Sequence, residues 1–208
     1  SSNPESLDKL LVAIADSPDS PDSEAEKVLL FGEVLEGLKG DRTVALPAPW
    51  PEVYRKFASS SHADLANVVR TLAFKFGDPQ EKARLRSLLT NPSAADAARC
   101  EAIELLVSMG EKDLVPALQS ILRENGVAAA ALRALAAYDA PTTPRAIADV
   151  YQNLPSEAKR AALGTLSSRP QYGLALLGYV EGNRIPRMDL TADIIRQLRT
   201  LNDSQVKY

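Results

Sequence analysis

The residue types that most often carry out chemistry are scarce in this chain. His62 is the only histidine and Cys100 the only cysteine, which excludes catalytic triads built on histidine, histidine-rich metal sites and an internal disulfide. We expect His62 to lie near a helix start in a structural or solvated role, and Cys100 to be a small buried helix residue. No glycine-rich phosphate loop, Gly-x-Ser-x-Gly or Cys-x-x-Cys motif occurs. The sequence therefore offers no catalytic, metal-ligating or cofactor-binding residue, and we expect this segment not to be an enzyme.

Three aspartates, Asp16, Asp19 and Asp22, recur at every third position and invite comparison with a calcium site. An EF-hand loop needs oxygen ligands at alternate positions, a glycine at the sixth position and a terminal glutamate. The string DSPDSPDSEAE lacks that pattern. We expect a solvated acidic loop whose end caps the next helix, without a bound metal.

Three arginines recur at one position of an internal repeat and are the candidate partner-binding residues. Arg70, Arg133 and Arg196 each lie two residues before one of the leucines that recur at similar intervals along the chain. In a regular array such arginines would form a column that binds an acidic partner or a carboxylate. The equivalent positions of two other repeats hold Glu104 and Gly164, so the column is interrupted. The interruption favours the alternative, in which the arginines form salt bridges between repeats or hydrogen bonds to adjacent turns.

Apolar residues recur at spacings of three and four along the whole chain, as in LDKLLVAIA, DLANVVRTLAFKF and DIIRQLRTL, and no stretch keeps a period of two. This pattern predicts a nearly all-helical protein. The helices are expected to run roughly 10 to 17 residues between short turns. Four helix-start signals punctuate the chain, two with a capping residue before proline and two with capping-box spacing or its acidic equivalent: Asp78-Pro79, Thr143-Pro144, Ser23 with Glu26, and Ser93 with Asp96.

Five similar helix ends establish an internal repeat. Their late leucines are separated by 34, 29, 31 and 32 residues, and each interval contains two helical segments. A period slightly above 30 with two helices per unit is typical of an α-solenoid, in which each helix pair buries its apolar face against its neighbours. Tetratricopeptide repeats have a similar length, but their Trp, Gly-Tyr and Pro pattern is absent. The repeated leucines are Leu72, Leu106, Leu135, Leu166 and Leu198.

The predicted fold is an all-α, HEAT/ARM-like superhelix of about 10 to 12 helices in antiparallel pairs. We expect one domain over residues 1–208, excised from a longer chain. Residues 5–49 would form N-terminal capping helices and a proline-rich connector, and residues 50–203 about five helix pairs. The string AAAALRALAAYDAP, residues 128–141, is expected to be the second helix of one pair, with alanines that admit close neighbours.

Composition and charge exclude two classes of partner. The net charge of −3 offers no general attraction for a phosphate backbone, so we expect no nucleic-acid partner. The longest nearly apolar run, VAAAALRALAA, contains Arg133 and is shorter than the about 20 residues that span a bilayer, so we expect no membrane insertion by this segment. The expected partner is another protein or a neighbouring domain of the same chain.

Four strings carry a family resemblance beyond the periodicity: FGD at 76–78, ALRALAAYDAPTTPRAIADVY at 131–151, AALGTLSSRP at 161–170 and GNRIPRMDLTADIIRQLRTLND at 182–203. With them the chain, most sharply from Phe76 onward, resembles the HEAT-like region of large membrane-bound dehydrogenases of the Planctomycetes–Verrucomicrobia type. Those proteins join a sugar-dehydrogenase-like β-propeller, a helical repeat region and a C-terminal c-type cytochrome.

The resemblance implies that this chain is the helical middle of an extracytoplasmic, periplasmic protein that oxidises a sugar or an alcohol. The haem-attachment motif Cys-x-x-Cys-His is missing here, so haem c is expected only in an absent C-terminal domain. The role implied for this segment is a non-catalytic scaffold, either a curved spacer between domains or a protein-interaction module.

Two alternatives come from other functional classes. A HEAT-like DNA glycosylase acting on alkylated bases would need a basic groove, aromatic residues and a catalytic carboxylate, and the acidic chain with a single tryptophan argues against it. A HEAT-like chromophore lyase or cofactor chaperone would need a deep polar pocket.

Overall fold

The computed structural model describes residues 4–18, 21–40 and 44–201, and within these ranges the chain is helical, without a strand. The prediction of an all-helical protein is therefore confirmed. The described residues form twelve α-helices and two short 3₁₀ turns, at Tyr151–Asn153 and Arg187–Asp189. The α-helices are α1 Pro4–Asp16, α2 Pro21–Gly37, α3 Trp50–Phe57, α4 Ala63–Phe76, α5 Pro79–Thr90, α6 Asp96–Ser108, α7 Val115–Ser120, α8 Asn125–Leu135, α9 Thr143–Val150, α10 Ser156–Leu166, α11 Pro170–Glu181 and α12 Ala192–Thr200.

The chain divides into two compact units, Ser1–Arg84 and Leu85–Tyr208. In the first unit α1 packs beside α3, and α2 packs beside α4, so helices that are next but one in sequence are neighbours. Each helix has one apolar stripe that must be covered, and this pairing covers it. The largest fully buried apolar side chains of this unit are Leu11, Phe31, Trp50, Leu65 and Leu72.

The second unit repeats the same neighbour pattern over more helices. The helix α8 lies between α6 and α10, while α7 and α11 both pack against α9. The repeated leucines predicted from sequence fall late in every even-numbered helix from α4 to α12, and all of them are buried. Spacing alone therefore identified a common buried position: Leu72, Leu106, Leu135, Leu166 and Leu198.

Small side chains let α8 approach its neighbours closely. Ala128 and Ala131 of α8 and Ala162 of α10 have no exposed surface. The hydroxyl of Thr165 on α10 donates a hydrogen bond of 2.6 Å to the backbone carbonyl of Leu132 on α8. A side chain reaches the backbone of a neighbouring helix only where no bulky residue intervenes. The alanine-rich sequence of α8 is therefore a packing requirement between two flanking helices.

The FGD string ends one helix and begins the next. Gly77 follows α4 with a φ of +64°, the left-handed conformation that glycine adopts most readily at a helix C-terminus. The Asp78 carboxylate then accepts a hydrogen bond of 2.7 Å from the amide of Gln80 and caps α5, as predicted. His62 has the structural role expected for it, since its Nδ1 accepts a hydrogen bond from the amide of Leu65 at the start of α4.

At the other three signals a helix begins within three residues, but the residue predicted to cap it does not do so. Ser23 lies inside α2, because that helix begins two residues earlier, and its hydroxyl donates to the carbonyl of Pro18. Ser93 precedes α6 in a turn where Asn91 Oδ1 accepts its amide hydrogen. Thr143 is already the first residue of α9 and is buried. In each case a local or tertiary hydrogen bond or burial takes precedence over the capping arrangement that the spacing suggested.

We predict that Leu135→Ala lowers the free energy of unfolding by about 2 to 5 kcal/mol, because Leu135 is completely buried at the end of α8 and the truncation leaves a cavity. Urea denaturation followed by circular dichroism measures the change. The matched control is Met188→Ala, since the Met188 side chain is 89% exposed and its truncation should change stability by less than about 0.5 kcal/mol. Equal effects of the two substitutions would contradict the packing described for α8.

Candidate functional site

The three arginines predicted to bind a partner have three different environments. Arg70 is half-buried and donates a hydrogen bond of 2.6 Å to the carbonyl of Ala58 at the end of α3. Arg133 on α8 pairs with Glu157 on α10 at 3.2 Å, and both side chains are exposed. Arg196 pairs with an aspartate of its own helix. The contacts of Arg70 and Arg133 are a hydrogen bond to an adjacent turn and a salt bridge between helices, as the alternative expects, and binding of a partner by these arginines stays a prediction.

Two arginines that the repeat spacing did not single out make more buried contacts. Arg99 is 2% exposed, and it donates to the carbonyl of Leu89 at 3.0 Å and to the Glu124 carboxylate at 2.6 Å. Arg169 donates to the carbonyl of Ala136 at the end of α8. Guanidinium groups at helix C-termini bind carbonyls that have no partner within the helix. These residues stabilise helix ends. The leucine spacing did not single them out, because their roles depend on tertiary contacts.

A buried polar cluster joins α3 to the first turn of α5. The indole of Trp50 donates to the Asp78 carboxylate at 2.8 Å, and the hydroxyl of Tyr54 donates to Glu81 at 2.5 Å. Arg84 binds the same Glu81 carboxylate through two nitrogens. Burial and the bond to Glu81 raise the pKa of Tyr54, and the bond to Glu81 raises the pKa of Arg84. Each buried polar atom of this cluster has a partner, so the cluster positions two helices.

The remaining groups suggested by the sequence do not assemble into a reactive site. In the described ranges, no three His, Cys, Asp or Glu side chains are grouped so that they could hold a metal ion. Asp16 ends α1, while Asp19 and the side chain of Asp22 lie outside what the structure describes. Cys100 is a free, half-buried thiol on α6, and burial, with the nearby Asp96 carboxylate, raises its pKa. A raised pKa keeps this sulfur protonated and weakly nucleophilic at neutral pH.

The strongest candidate for a binding site is a groove of about 680 Å³ beside α11 and α12. Its floor is apolar, and charged or amide side chains stand at its margin. The apolar lining consists of Leu177, Val180, Leu190, Ile195 and Leu198, and the polar lining of Glu181, Asn183, Arg187 and Arg199. We call this feature the α11–α12 groove.

The connection between α11 and α12 shapes one wall of the groove. Asn183 adopts a φ of +57°, which turns the chain back after α11. Ile185 is then completely buried, and the hydroxyl of Tyr151 donates to the Asp189 carboxylate at 2.9 Å. Thr191 caps α12 by accepting a hydrogen bond from a backbone amide of the helix's first turn. The string GNRIPRMDLT therefore forms a fixed wall, because it is tied down at its middle and its end.

The charges at the margin of the groove have no salt-bridge partner among the described residues. In the part of the chain that the structure describes, neither Arg187 nor Arg199 has a salt bridge, and Glu181 adds one unpaired negative charge. The two guanidinium groups leave the rim with an excess of positive charge. Beside them Met188 is 89% exposed and Ile195 is 40% exposed. An apolar surface of this kind, bordered by unpaired charge, is typical of a protein-interaction site.

Comparisons with family models, with curated proteins and with solved structures found no match. The helical architecture and the groove are therefore argued from this chain's own geometry. None of the described helices is both long and apolar enough to cross a membrane.

We predict that the stability of the second unit falls as the pH rises above about 10, because of Tyr151. Burial and the bond to Asp189 raise the pKa of Tyr151 in the folded chain above its ordinary value of 10.0. The unfolded chain therefore loses this proton first, so the stabilisation is complete below pH 10 and is lost as the pH rises towards the folded pKa. Urea denaturation at several alkaline pH values measures the slope.

Tyr151→Phe should give a shallower fall in stability over the same alkaline range. Tyr179→Phe is the matched control, since no described residue makes a hydrogen bond to the Tyr179 hydroxyl. An alkaline slope that is the same in wild type and Tyr151→Phe would disprove the proposed linkage.

Proposed function

We propose that this chain is a non-catalytic helical-repeat scaffold whose α11–α12 groove binds a helix of a protein partner. The observation that carries the proposal is the apolar floor of the groove with two arginines at its margin, Arg187 and Arg199, which have no salt bridge to any described residue. The lining offers apolar contact and positive charge, and it places no nucleophile beside a general base. Binding is therefore the function that these side chains support best.

The proposed architecture is an α-solenoid of the HEAT/ARM-like kind. In its support, helices next but one in sequence are neighbours within each unit. The repeated leucines are buried at similar positions of alternate helices. Both features are expected where each helix pair buries its apolar face against the preceding and following pairs. In such an array, the apolar surface of a helix pair packs against the next repeat. The same kind of surface can pack against a helix of a partner protein.

The proposed occupant of the groove is an amphipathic helix with acidic residues beside its apolar stripe. A helix placed in a groove presents side chains at i, i+3, i+4 and i+7, which here would meet the leucine, valine and isoleucine floor. Carboxylates flanking that stripe would reach Arg187 and Arg199, which can each bind a carboxylate through two nitrogens. Glu181 disfavours a partner that places a carboxylate on its side of the groove. The net positive charge of the margin therefore favours an acidic partner.

The family resemblance extends this proposal to a parent protein. The scaffold would hold a sugar- or alcohol-oxidising domain and a c-type cytochrome domain at a fixed geometry in the periplasm. We predict that the gene encodes a Cys-x-x-Cys-His motif shortly after Tyr208, because that motif attaches haem c covalently. Sequencing the gene beyond the codon for Tyr208 provides the test, and an open reading frame without such a motif would refute the proposed parent while leaving the groove untouched.

We predict that a fluorescein-labelled synthetic helix of about 14 residues, with a leucine stripe and glutamate flanks, binds the α11–α12 groove. The same peptide with lysine flanks should bind about fivefold to tenfold more weakly, since each exposed charge pair contributes about 0.2 to 1 kcal/mol. Fluorescence anisotropy measures both affinities. Arg199→Glu should reduce or invert the preference, because it reverses one charge at the margin.

Two further variants localise the binding. Ile195→Asp places a charge on the partly exposed floor and should abolish binding of both peptides. Arg160→Glu reverses an exposed charge on α10 outside the groove and should leave the affinity unchanged. Equal binding to wild type and Ile195→Asp would show that the groove is not the docking site.

A further inference from the structure

A second apolar surface of the chain lies on the first unit, at α1 and α2. It includes a groove of about 380 Å³ lined by Leu7, Leu10, Val34 and Leu38, with Ser6, Glu33 and Gly37. Leu10 is 42% exposed there, whereas Leu11 and Ile14 of the same helix are buried. The apolar stripe of α1 therefore continues from its buried part onto exposed surface, where another protein can pack against it. We call the exposed side of this helix pair the α1–α2 surface.

The charge of the α1–α2 surface is opposite to that of the α11–α12 groove. In α2 the acidic residues with described side chains are Glu24, Glu26, Glu33 and Glu36, of which Glu36 pairs with Lys39 at 2.6 Å, and the only basic residue of the helix is Lys27. Lys27 is 1% exposed and donates to the carbonyl of Pro18, so it does not neutralise the outer face of the helix. Glu33 stands at the margin of the small groove, is exposed, and has no salt bridge within the described residues.

We propose that the α11–α12 groove binds the α1–α2 surface of a second copy of this chain. The inference rests on the proposed docking role of the groove and names its occupant. Leu10 and Leu29, which is 70% exposed, supply the apolar side chains for the groove floor. Glu33 of one copy supplies the carboxylate for Arg187 and Arg199 of the other. The exposed Met188 side chain, which is unbranched and adaptable, enters the small groove between α1 and α2.

The charges also decide between the two ways in which copies can pair. If the α11–α12 groove paired with itself, its margin of two arginines and one glutamate would meet a margin of the same net positive charge, which would oppose the contact. Pairing of the groove with the α1–α2 surface brings opposite charges together. The two surfaces are different, so the contact is heterologous, and each bound copy still offers one free surface of each kind. Association is therefore expected to proceed beyond a dimer unless the assembly closes into a ring.

The test is sedimentation equilibrium of the whole chain from about 5 to 500 µM, at low and at high salt. The weight-average mass of the wild type should rise with concentration, and less so at high salt, because the proposed contact includes exposed charge pairs. Arg199→Glu and Glu33→Arg should each weaken association at least about tenfold, since each places like charges opposite one another. Both residues are exposed and have no salt bridge within the part of the chain that the structure describes, and circular dichroism verifies that the variants fold as the wild type does.

Mixing the two charge-reversal variants tests whether these particular surfaces meet. Mixed in equal amounts, the Arg199→Glu and Glu33→Arg chains should associate, because the unchanged groove of the Glu33→Arg chain meets the unchanged α1–α2 surface of the Arg199→Glu chain, and the reversed groove also meets the reversed surface. Arg160→Glu is the control and should behave as the wild type. If the mixture stays monomeric while the wild type associates, another surface mediates the contact and the inference is wrong.

The peptide experiment separates this inference from the proposed function. A wild type that remains monomeric at the highest concentration, yet binds the glutamate-flanked peptide, would overturn the second copy as occupant and retain the groove as a docking site for another protein. A wild type that neither associates nor binds the peptide would overturn both.

Discussion

The contact that most constrains the second unit is the close approach of α8 to the helices on either side of it. A helix covered by α6 on one side and α10 on the other cannot keep a single apolar stripe, and its sequence is accordingly apolar around most of its circumference. Alanines keep the distance short, and the bond from Thr165 to the Leu132 carbonyl requires that short distance. This contact also fixes the positions of the core leucines on α8 and on the helices beside it, because packed interiors tolerate little displacement.

Polar side chains then fix where each helix ends. Arg70, Arg99 and Arg169 each donate to a carbonyl in the last turn or cap of a neighbouring helix. Such carbonyls lack partners within their own helix, and a buried one without a hydrogen bond is costly. By contrast, the exposed pair between Arg133 and Glu157 contributes little, because solvent screens it. The contribution of each arginine to stability therefore depends on how buried it is and on which carbonyl accepts its hydrogen bond.

The sequence was informative where a property repeats and uninformative where it depends on a single tertiary contact. Periodicity predicted the helices, and the leucine spacing predicted buried positions such as Leu135 and Leu166, because every helix pair meets the same packing requirement. The same spacing selected Arg196, whose contact is confined to its own helix, and passed over Arg99. The α11–α12 groove had no sequence signal of its own, because it depends on how the residues after α11 fold back beside α12.

The α1–α2 surface and the α11–α12 groove are made of the same residue types as the buried contacts between helices of each unit. Leucine and valine supply the apolar area, and arginine or glutamate stands at its border. Within a repeat array, the apolar side of one helix pair is complementary to the next pair because all pairs share one packing scheme. A surface with this composition can thus accept another helix pair without new chemistry. In the proposed association, opposite charge at the borders would favour a groove-to-surface contact over a groove-to-groove contact, a preference that apolar packing alone does not provide.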